Sequence, residues 1–238
     1  FASPSDSLGA AQHRLALLNA SFLTGGGRVL DVGCGLGGTT ALLAALGHQA
    51  VGIDPCDLAV HYARESAGAA GDVRFEPRSF VSLAEQAASE HDLFDGLVFI
   101  EVLQHMPRLE PLFEHCVKLL RPDGVIVISD VVTIPELPWR VAPFHRRGSV
   151  MAAALGRGFR ARHQEVAVAH VLPTLDLIVD GLERQRNLWC DEFADLRPQL
   201  AAEIRELISQ CLLLKTAFEN GDLAYEITAL CRAERTGA

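Results

Sequence analysis

Val29-Leu-Asp-Val-Gly-Cys-Gly-Leu-Gly-Gly-Thr-Thr40 is the stretch from which the rest of the chain can be read. Val29, Leu30 and Val32 form a short apolar run suited to a buried strand, and the glycines from Gly33 to Gly38 then force a sharp turn. Thr39 begins a helix through Ala41, Leu42, Leu43, Ala44 and Leu46 that stops at Gly47, a usual helix C-terminal residue. A strand, a glycine turn and a helix N-terminus in succession let backbone N–H groups approach a ligand closely.

The same alternation continues downstream. Gln49 to Ile53 reads as a second strand ending at Asp54-Pro55, and the proline keeps Asp54 out of a helix at the strand's carboxyl end. A helix follows over Cys56–Ala67, a strand over Val73–Phe75, a helix over Ser79–Ser89 and a strand over Phe94–Ile100. Pro107 opens a helix containing Leu112, Phe113, Val117 and Leu120, and Arg121-Pro-Asp-Gly124 turns the chain into the most apolar strand, Val125–Ser129. Strands alternating with helices predict an α/β fold, a doubly wound and mostly parallel sheet covered on both faces. Upstream, Gln12–Leu23 places Leu15, Leu18 and Phe22 on one helical face. Beyond Asp130, Pro135, Pro138 and Pro143 break the rhythm and predict a loop or lid. A strand from Phe159 to Val168, helices over Thr174–Trp189 and Pro198–Asn220, and a last strand over Leu223–Cys231 complete the reading.

The 238 residues suit one large domain or one domain with an inserted cap, and 49% hydrophobic with 21% charged residues is an ordinary globular composition. A net charge of -9 argues against a nucleic-acid partner, because binding phosphates needs a basic footprint. Six cysteines without a C-x-x-C pair signal neither a zinc knuckle nor a disulfide framework and predict reduced thiols in a cytoplasmic protein. No apolar run is long enough for a membrane span. The chain opens at Phe1 rather than Met, which leaves room for a further N-terminal piece.

The glycine turn fits two patterns at once, G-x-G-x-G and G-x-G-x-x-G, so a dinucleotide remains open. Asp54, 21 residues after Gly33, suits ribose hydroxyls of either cofactor. Asp31 separates the two. An anion there is badly placed beside a pyrophosphate but suits a cofactor with an ammonium group and a sulfonium, which favours S-adenosylmethionine.

V-L-D-V-G-C-G-L-G-G, G-I-D-P, F-D-G-L-V-F-I-E-V-L-Q-H-M and L-R-P-D-G-V-I-V-I-S-D together resemble the successive motifs of class I S-adenosylmethionine-dependent methyltransferases, over about residues 28–130. The E-V-L-Q-H-M form is most similar to the branch that methylates small molecules, among them ubiquinone-pathway, sterol-type and natural-product enzymes. The resemblance implies a seven-stranded sheet, an antiparallel last strand, and S-adenosylhomocysteine as the product. It implies that Gly33, Gly35 and Gly37 let the backbone approach the cofactor, that Asp31 orients its methionine part and that Asp54, with Pro55, holds the ribose. Ser79, where relatives often carry Asp, and Phe80 would lie at the adenine, and Glu101 near the methionine amino group. Residues 1–24 are expected to form a helical arm or cap, and residues 25–238 the methyltransferase domain, with a lid insertion at about 131–160 and a helical segment at about 173–220.

His105 is the candidate general base. It follows the fourth strand, at the edge where α/β proteins bind ligands, and an imidazole accepts a proton from a hydroxyl at neutral pH. Capping or packing at the following helix is the competing reading. Related enzymes with E-x-x-E-H bind a divalent metal, but Gln104 replaces the second acid, and one carboxylate with one His makes a poor magnesium site. No metal is expected. Asp130 either touches the acceptor or caps a loop; Trp139, Phe144, His145 and His170 either line an acceptor pocket or simply pack. Arg146-Arg147 holds an acidic substrate or is a solvated pair, and Gln12 and His13 are candidates to close over the cofactor. The expected activity is O-methylation of a small organic acceptor, with N- or C-methylation as the alternative and an NAD(P)-dependent oxidoreductase or a catalytically silent domain as readings of another class. Neither nucleic acid nor membrane is an expected partner, and the oligomeric state is open, with a homodimer among the options.

Overall fold

The computed structural model describes residues 6–68, 71–134, 144–193, 197 and 199–233. Seven strands form one sheet: β1 (Arg28–Val32), β2 (Gln49–Asp54), β3 (Val73–Pro77), β4 (Phe94–Ile100), β5 (Leu120–Thr133), β7 (Phe159–Val166) and β8 (Leu223–Arg232), in the order β3-β2-β1-β4-β5-β8-β7. A two-residue strand, β6 (His145–Arg146), adds to the end of β5. The first five strands run parallel and β8 runs antiparallel to both of its neighbours.

Alternate residues of the central strands enter different cores, as the period of two requires. Leu30 and Val32, Val51 and Ile53, Leu97 and Phe99 pack on one face with Phe80 and Phe113, while Val29, Ala50 and Val98 pack on the other with Leu43 and Ala44. The near-continuous apolar strands are therefore sandwiched by helices: α2 (Gly38–Ala45), α3 (Asp57–Ala67), α4 (Phe80–Gln86) and α5 (Leu109–Leu119) accompany the parallel half.

Strand β1 has β2 on one side and β4 on the other, so successive connections leave it in opposite directions. That opens a crevice at the carboxyl ends of β1 and β4, where open α/β sheets bind ligands. Val32 pairs with both Ile53 and Phe99, which brings Gly33, Asp54 and Glu101 to one edge.

Several boundaries differ from the sequence reading. The first helix, α1, spans Leu8–Ala20, starting earlier because Ser7 caps it by accepting from the Ala10 N–H. A buried polar bridge fixes it to the sheet: Ser129 Oγ donates to Asn19 Oδ1 (2.7 Å), and Asn19 Nδ2 donates to the Leu15 carbonyl (2.8 Å). Arg121–Gly124 is not a free turn; it is a bulge in β5, exposed at Arg121, Pro122 and Asp123, where the pairing with β4 jumps from Phe94–Leu120 to Gly96–Val125. Residues 144–160 are not loop throughout. They carry β6 and α6 (Ser149–Leu155), whose Val150 and Ala154 are buried in the main core. Helix α7 (Val168–Glu192) starts one turn and a half before Pro173 rather than after it, and α8 (Leu200–Glu219) follows. With α1 and β8 these two helices enclose a separate apolar cluster around Leu15, Leu175, Phe218 and Tyr225. No helix among the described residues is long and apolar enough to cross a membrane.

Candidate active site

The turn after β1 is locked from below. Gly33 and Cys34 donate their N–H groups to the Ile53 carbonyl (2.8 and 3.0 Å), and the buried Asp31 carboxylate accepts from Thr40 Oγ1 (2.6 Å) in the first turn of α2. Gly33, Gly35 and Gly37 all have positive φ, at 73°, 51° and 83°. Their surroundings differ. A Cβ at Gly33 would meet Val102 at 2.5 Å and one at Gly37 would meet Phe75 and Ala63 at 2.7 and 2.8 Å, whereas a Cβ at Gly35 would meet nothing within 4 Å. Gly33 and Gly37 are thus required by packing, and of these three only Gly35 would place an added Cβ in open space.

Two cavities flank this turn. One, of about 550 Å³, is bordered by Gly33, Asp54, Pro55, Ser79, Phe80 and His105. The other, of about 480 Å³, is bordered by Gln12, His13, Cys34, Gly38 and Glu101. Asp54 spans the end of the first: Oδ2 accepts from the Gly35 N–H (3.1 Å) and Oδ1 from the Cys56 N–H (2.8 Å), leaving each oxygen a lone pair for ligand hydroxyls. Ser79 caps α4 by accepting from the Ser82 N–H (3.1 Å), and Phe80 stacks edge-on against Phe99 and His115. The His115 ring, not anticipated from sequence, borders the same cavity.

Asp31 borders neither cavity. Its expected contact with a cofactor is replaced by support of the turn, because β1 residues alternate and its side chain points beneath the loop to Thr40. Burial pushes its carboxyl up to about 6 from 3.8, partly offset by the Thr40 hydrogen bonds. The folded state therefore favours the protonated form. The stability contributed is complete below the unfolded value and lost as pH rises through about 6, on the order of 3 kcal/mol in full. Asp31→Asn keeps an acceptor for Thr40 and removes the titration. In urea unfolding without ligand, it is expected to gain stability relative to the natural chain between pH 4 and pH 7; an unchanged difference across that range contradicts the assignment.

After β4 the chain reverses at Glu101, the one non-glycine residue of positive φ (54°) among those described. The strained turn is held from several directions. Glu101 N–H donates to the Ser129 carbonyl (2.8 Å); Asp130 Oδ2 accepts from the Val102 and Leu103 N–H groups (3.0 and 2.7 Å), while its Oδ1 accepts from the Val131 N–H (2.8 Å). His145 Nε2 lies 3.2 Å from the Leu103 carbonyl and 3.0 Å from that of Met106, as a shared donor. Burial pushes the Asp130 carboxyl up to about 6 and raises that of Glu101.

Leu103–His105 forms a 3₁₀ turn, and α5 starts only at Leu109. Successive side chains on such a turn diverge by about 120°. His105 accordingly borders the first cavity, whereas its neighbour Gln104 borders a third, of about 260 Å³, together with Glu101, Asp130, Phe144, Leu175 and Tyr225. Glu101 borders both the second and the third cavity, as does Gln12 on α1. Tyr225, buried on β8, donates its hydroxyl to Glu101 Oε1 (3.2 Å).

Of the expected acceptor residues, Phe144 borders the third cavity and Asp130 does so while serving the turn. His145 braces the turn instead of lining that cavity, and His170 is exposed on α7 and does not border it. Trp139 lies outside the described residues. Arg147 pairs with Glu226 (3.2 Å), and Arg146 is exposed on β6. Among the described residues no three His, Cys, Asp or Glu side chains converge as a metal site would.

Residues 8–164 match the family described as a methyltransferase domain. The chain belongs to this family. The chain is 37% identical over 108 residues to the mitochondrial ubiquinone biosynthesis O-methyltransferase of Bos taurus, covering 44% of this chain and 29% of that protein. It spans half or less of the length of the curated relatives it matches. Its fold follows the cyclopropane synthase MmaA2 from Mycobacterium tuberculosis with a TM-score of 0.79 at 19% identity, covering 93% of this chain and 84% of that one. The [4+2]-cyclase SpnF is as similar, with a TM-score of 0.78 at 18% identity over 98% of this chain and 84% of that one. Such neighbours establish the architecture of this chain.

Proposed function

We propose that this enzyme transfers the methyl group of S-adenosylmethionine to a hydroxyl of a small organic molecule. The observation that carries the reading is Glu101, whose side chain opens into a cavity beside the glycine turn and into an apolar cavity on the far side of the turn after β4. A donor in the first two cavities and an acceptor in the third would meet at that residue. The cofactor would supply an electrophilic methyl group on a sulfonium. Asp54 would hold the ribose hydroxyls, Phe80 and Ser79 would border the adenine, and the bare backbone at Gly35 would admit the cofactor's middle portion. Helix α1, bearing Gln12 and His13, would cover the methionine side and exclude water. The family match, relatives named for ubiquinone O-methylation, and neighbours solved with S-adenosylhomocysteine or S-adenosylmethionine support this reading.

A screen of phenols and alcohols with methyl-labelled cofactor tests it. Labelled methyl ethers are expected; label transferred only to nitrogen or carbon overturns the hydroxyl assignment. For His105, the geometry supports a wall of the cofactor cavity over a proton acceptor, since the ring does not border the apolar cavity. His105→Ala is expected to weaken S-adenosylhomocysteine binding several-fold and leave kcat nearly unchanged. A loss of about 10²–10⁴ in kcat, with an altered pH profile, would restore the base role.

A further inference from the structure

We propose that Glu101 is the specificity-determining anchor for the acceptor and that it selects an uncharged, apolar molecule offering a hydroxyl hydrogen. The inference rests on the methyl-transfer reading above and names the substrate class of that same site. The third cavity is apolar along most of its wall, through Leu15, Val171, Leu175, Ile178 and Phe218. Four of its polar groups, Glu101, Gln104, Asp130 and Tyr225, gather around the turn after β4, while Gln12 and Thr174 border it from α1 and α7.

Most of those groups are already engaged. The Asp130 oxygens serve three backbone N–H groups, Gln104 Nε2 donates to the Glu101 carbonyl (2.9 Å), and the Tyr225 hydroxyl hydrogen is directed at Glu101 Oε1. The bond to the Glu101 carbonyl also fixes the Gln104 amide, because only its nitrogen can donate there. Glu101 Oε2 takes no hydrogen bond among the described residues. It is an acceptor that no described side chain or backbone group satisfies, on a carboxylate whose own backbone is held at positive φ. A ligand that binds at Glu101 Oε2 must therefore bring a hydrogen.

Charge narrows the class further. Two carboxylates border the cavity and no Lys, Arg or His does so among the described residues, so an anionic acceptor would meet repulsion from these side chains. Burial raises the Glu101 carboxyl, and a hydroxyl donor at Oε2 would hold it in the ionised form. An apolar body with one hydroxyl satisfies the wall and the anchor together.

Calorimetry on the whole chain saturated with S-adenosylhomocysteine tests the proposal without knowledge of the natural acceptor. The probes are 4-butylphenol, 4-butylanisole, 4-butylbenzoate and 4-butylbenzylamine, which share a body and differ in the polar end. The phenol is expected to bind at least about tenfold tighter than the anisole, the loss of one hydrogen bond to a charged group. The benzoate is expected not to bind. In Glu101→Gln an amide N–H₂ replaces Oε2, and in the second variant, Glu101→Met, no acceptor remains; in either, the phenol-to-anisole ratio is expected to fall toward one. Equal binding of phenol and anisole, no binding of either, tighter binding of benzoate or benzylamine, or a ratio preserved in both variants overturns the proposal. Saturation with S-adenosylhomocysteine is checked first, and its failure overturns the methyl-transfer reading as well, a result distinct from any difference among the probes.

Discussion

Gly35→Ala is expected to fold and to lose its cofactor. The added Cβ meets nothing within 4 Å, so the fold bears only the strain of φ at 51° for an L-residue. That strain costs roughly 1–2 kcal/mol and should lower Tm by a few degrees. The methyl group would, however, project into open space beside the turn, where the proposed function brings the backbone within contact distance of the ligand. S-adenosylhomocysteine binding should weaken by about a hundredfold or more, since a displaced ligand loses several hydrogen bonds at once. Gly37→Ala makes the opposite case. Its φ of 83° adds similar strain, and its Cβ would meet Phe75 at 2.7 Å and Ala63 at 2.8 Å. Overpacking adds about 1–3 kcal/mol, so the larger fall in Tm belongs to Gly37. If the two variants changed Tm and affinity in parallel, the distinction between a glycine kept for packing and one kept for ligand approach would be wrong.

Asp130→Ala should combine a large loss of stability with a large loss of turnover. Three N–H groups converge on this carboxylate, two of them from Val102 and Leu103 at 3.0 and 2.7 Å. Truncation leaves those donors buried without partners, at about 1–3 kcal/mol each, partly offset because burying the Asp130 charge is itself unfavourable. The net cost should be on the order of 2–4 kcal/mol. The turn that Asp130 holds carries Glu101 and Gln104 to the apolar cavity, and a displacement of about 1 Å in such a site can cost 10²-fold in rate. Asp130→Asn retains one acceptor oxygen and should fall between the two in both Tm and kcat. Full turnover in Asp130→Ala would mean that the turn holds its shape without this clamp.

How far the sequence reveals these features follows from how local their causes are. The strand, glycine turn and helix around Gly33–Thr40 are set by neighbours within a few residues, as is Asp54 before Pro55, and these elements fall where periodicity and glycine signals put them. His145 behaves differently. Its partners lie 42 and 39 residues earlier in the chain, and nothing near it signals that contact. Asp130 acts across 28 and 27 residues through a pairing of β4 with β5 that only the assembled sheet fixes. Tyr225 interrupts an apolar run visibly enough, but its direction depends on the antiparallel register that sets it opposite Val131.

Asp31 is expected from sequence to orient a cofactor, and the strand's alternation turns its side chain toward Thr40 rather than toward either cavity. For His105 the deciding detail is the 3₁₀ turn, which sends adjacent Gln104 and His105 to different cavities. A helix opening directly at Pro107 would have carried no such divergence.

The central claim is that the crevice at the ends of β1 and β4 is built for S-adenosylmethionine and not for a dinucleotide. Calorimetric titration of the whole chain with S-adenosylhomocysteine and, separately, with NAD tests it most directly. The site predicts one equivalent of S-adenosylhomocysteine bound in the micromolar range, lost in Gly35→Ala, and no heat from NAD. Saturable binding of NAD with none of S-adenosylhomocysteine would contradict it.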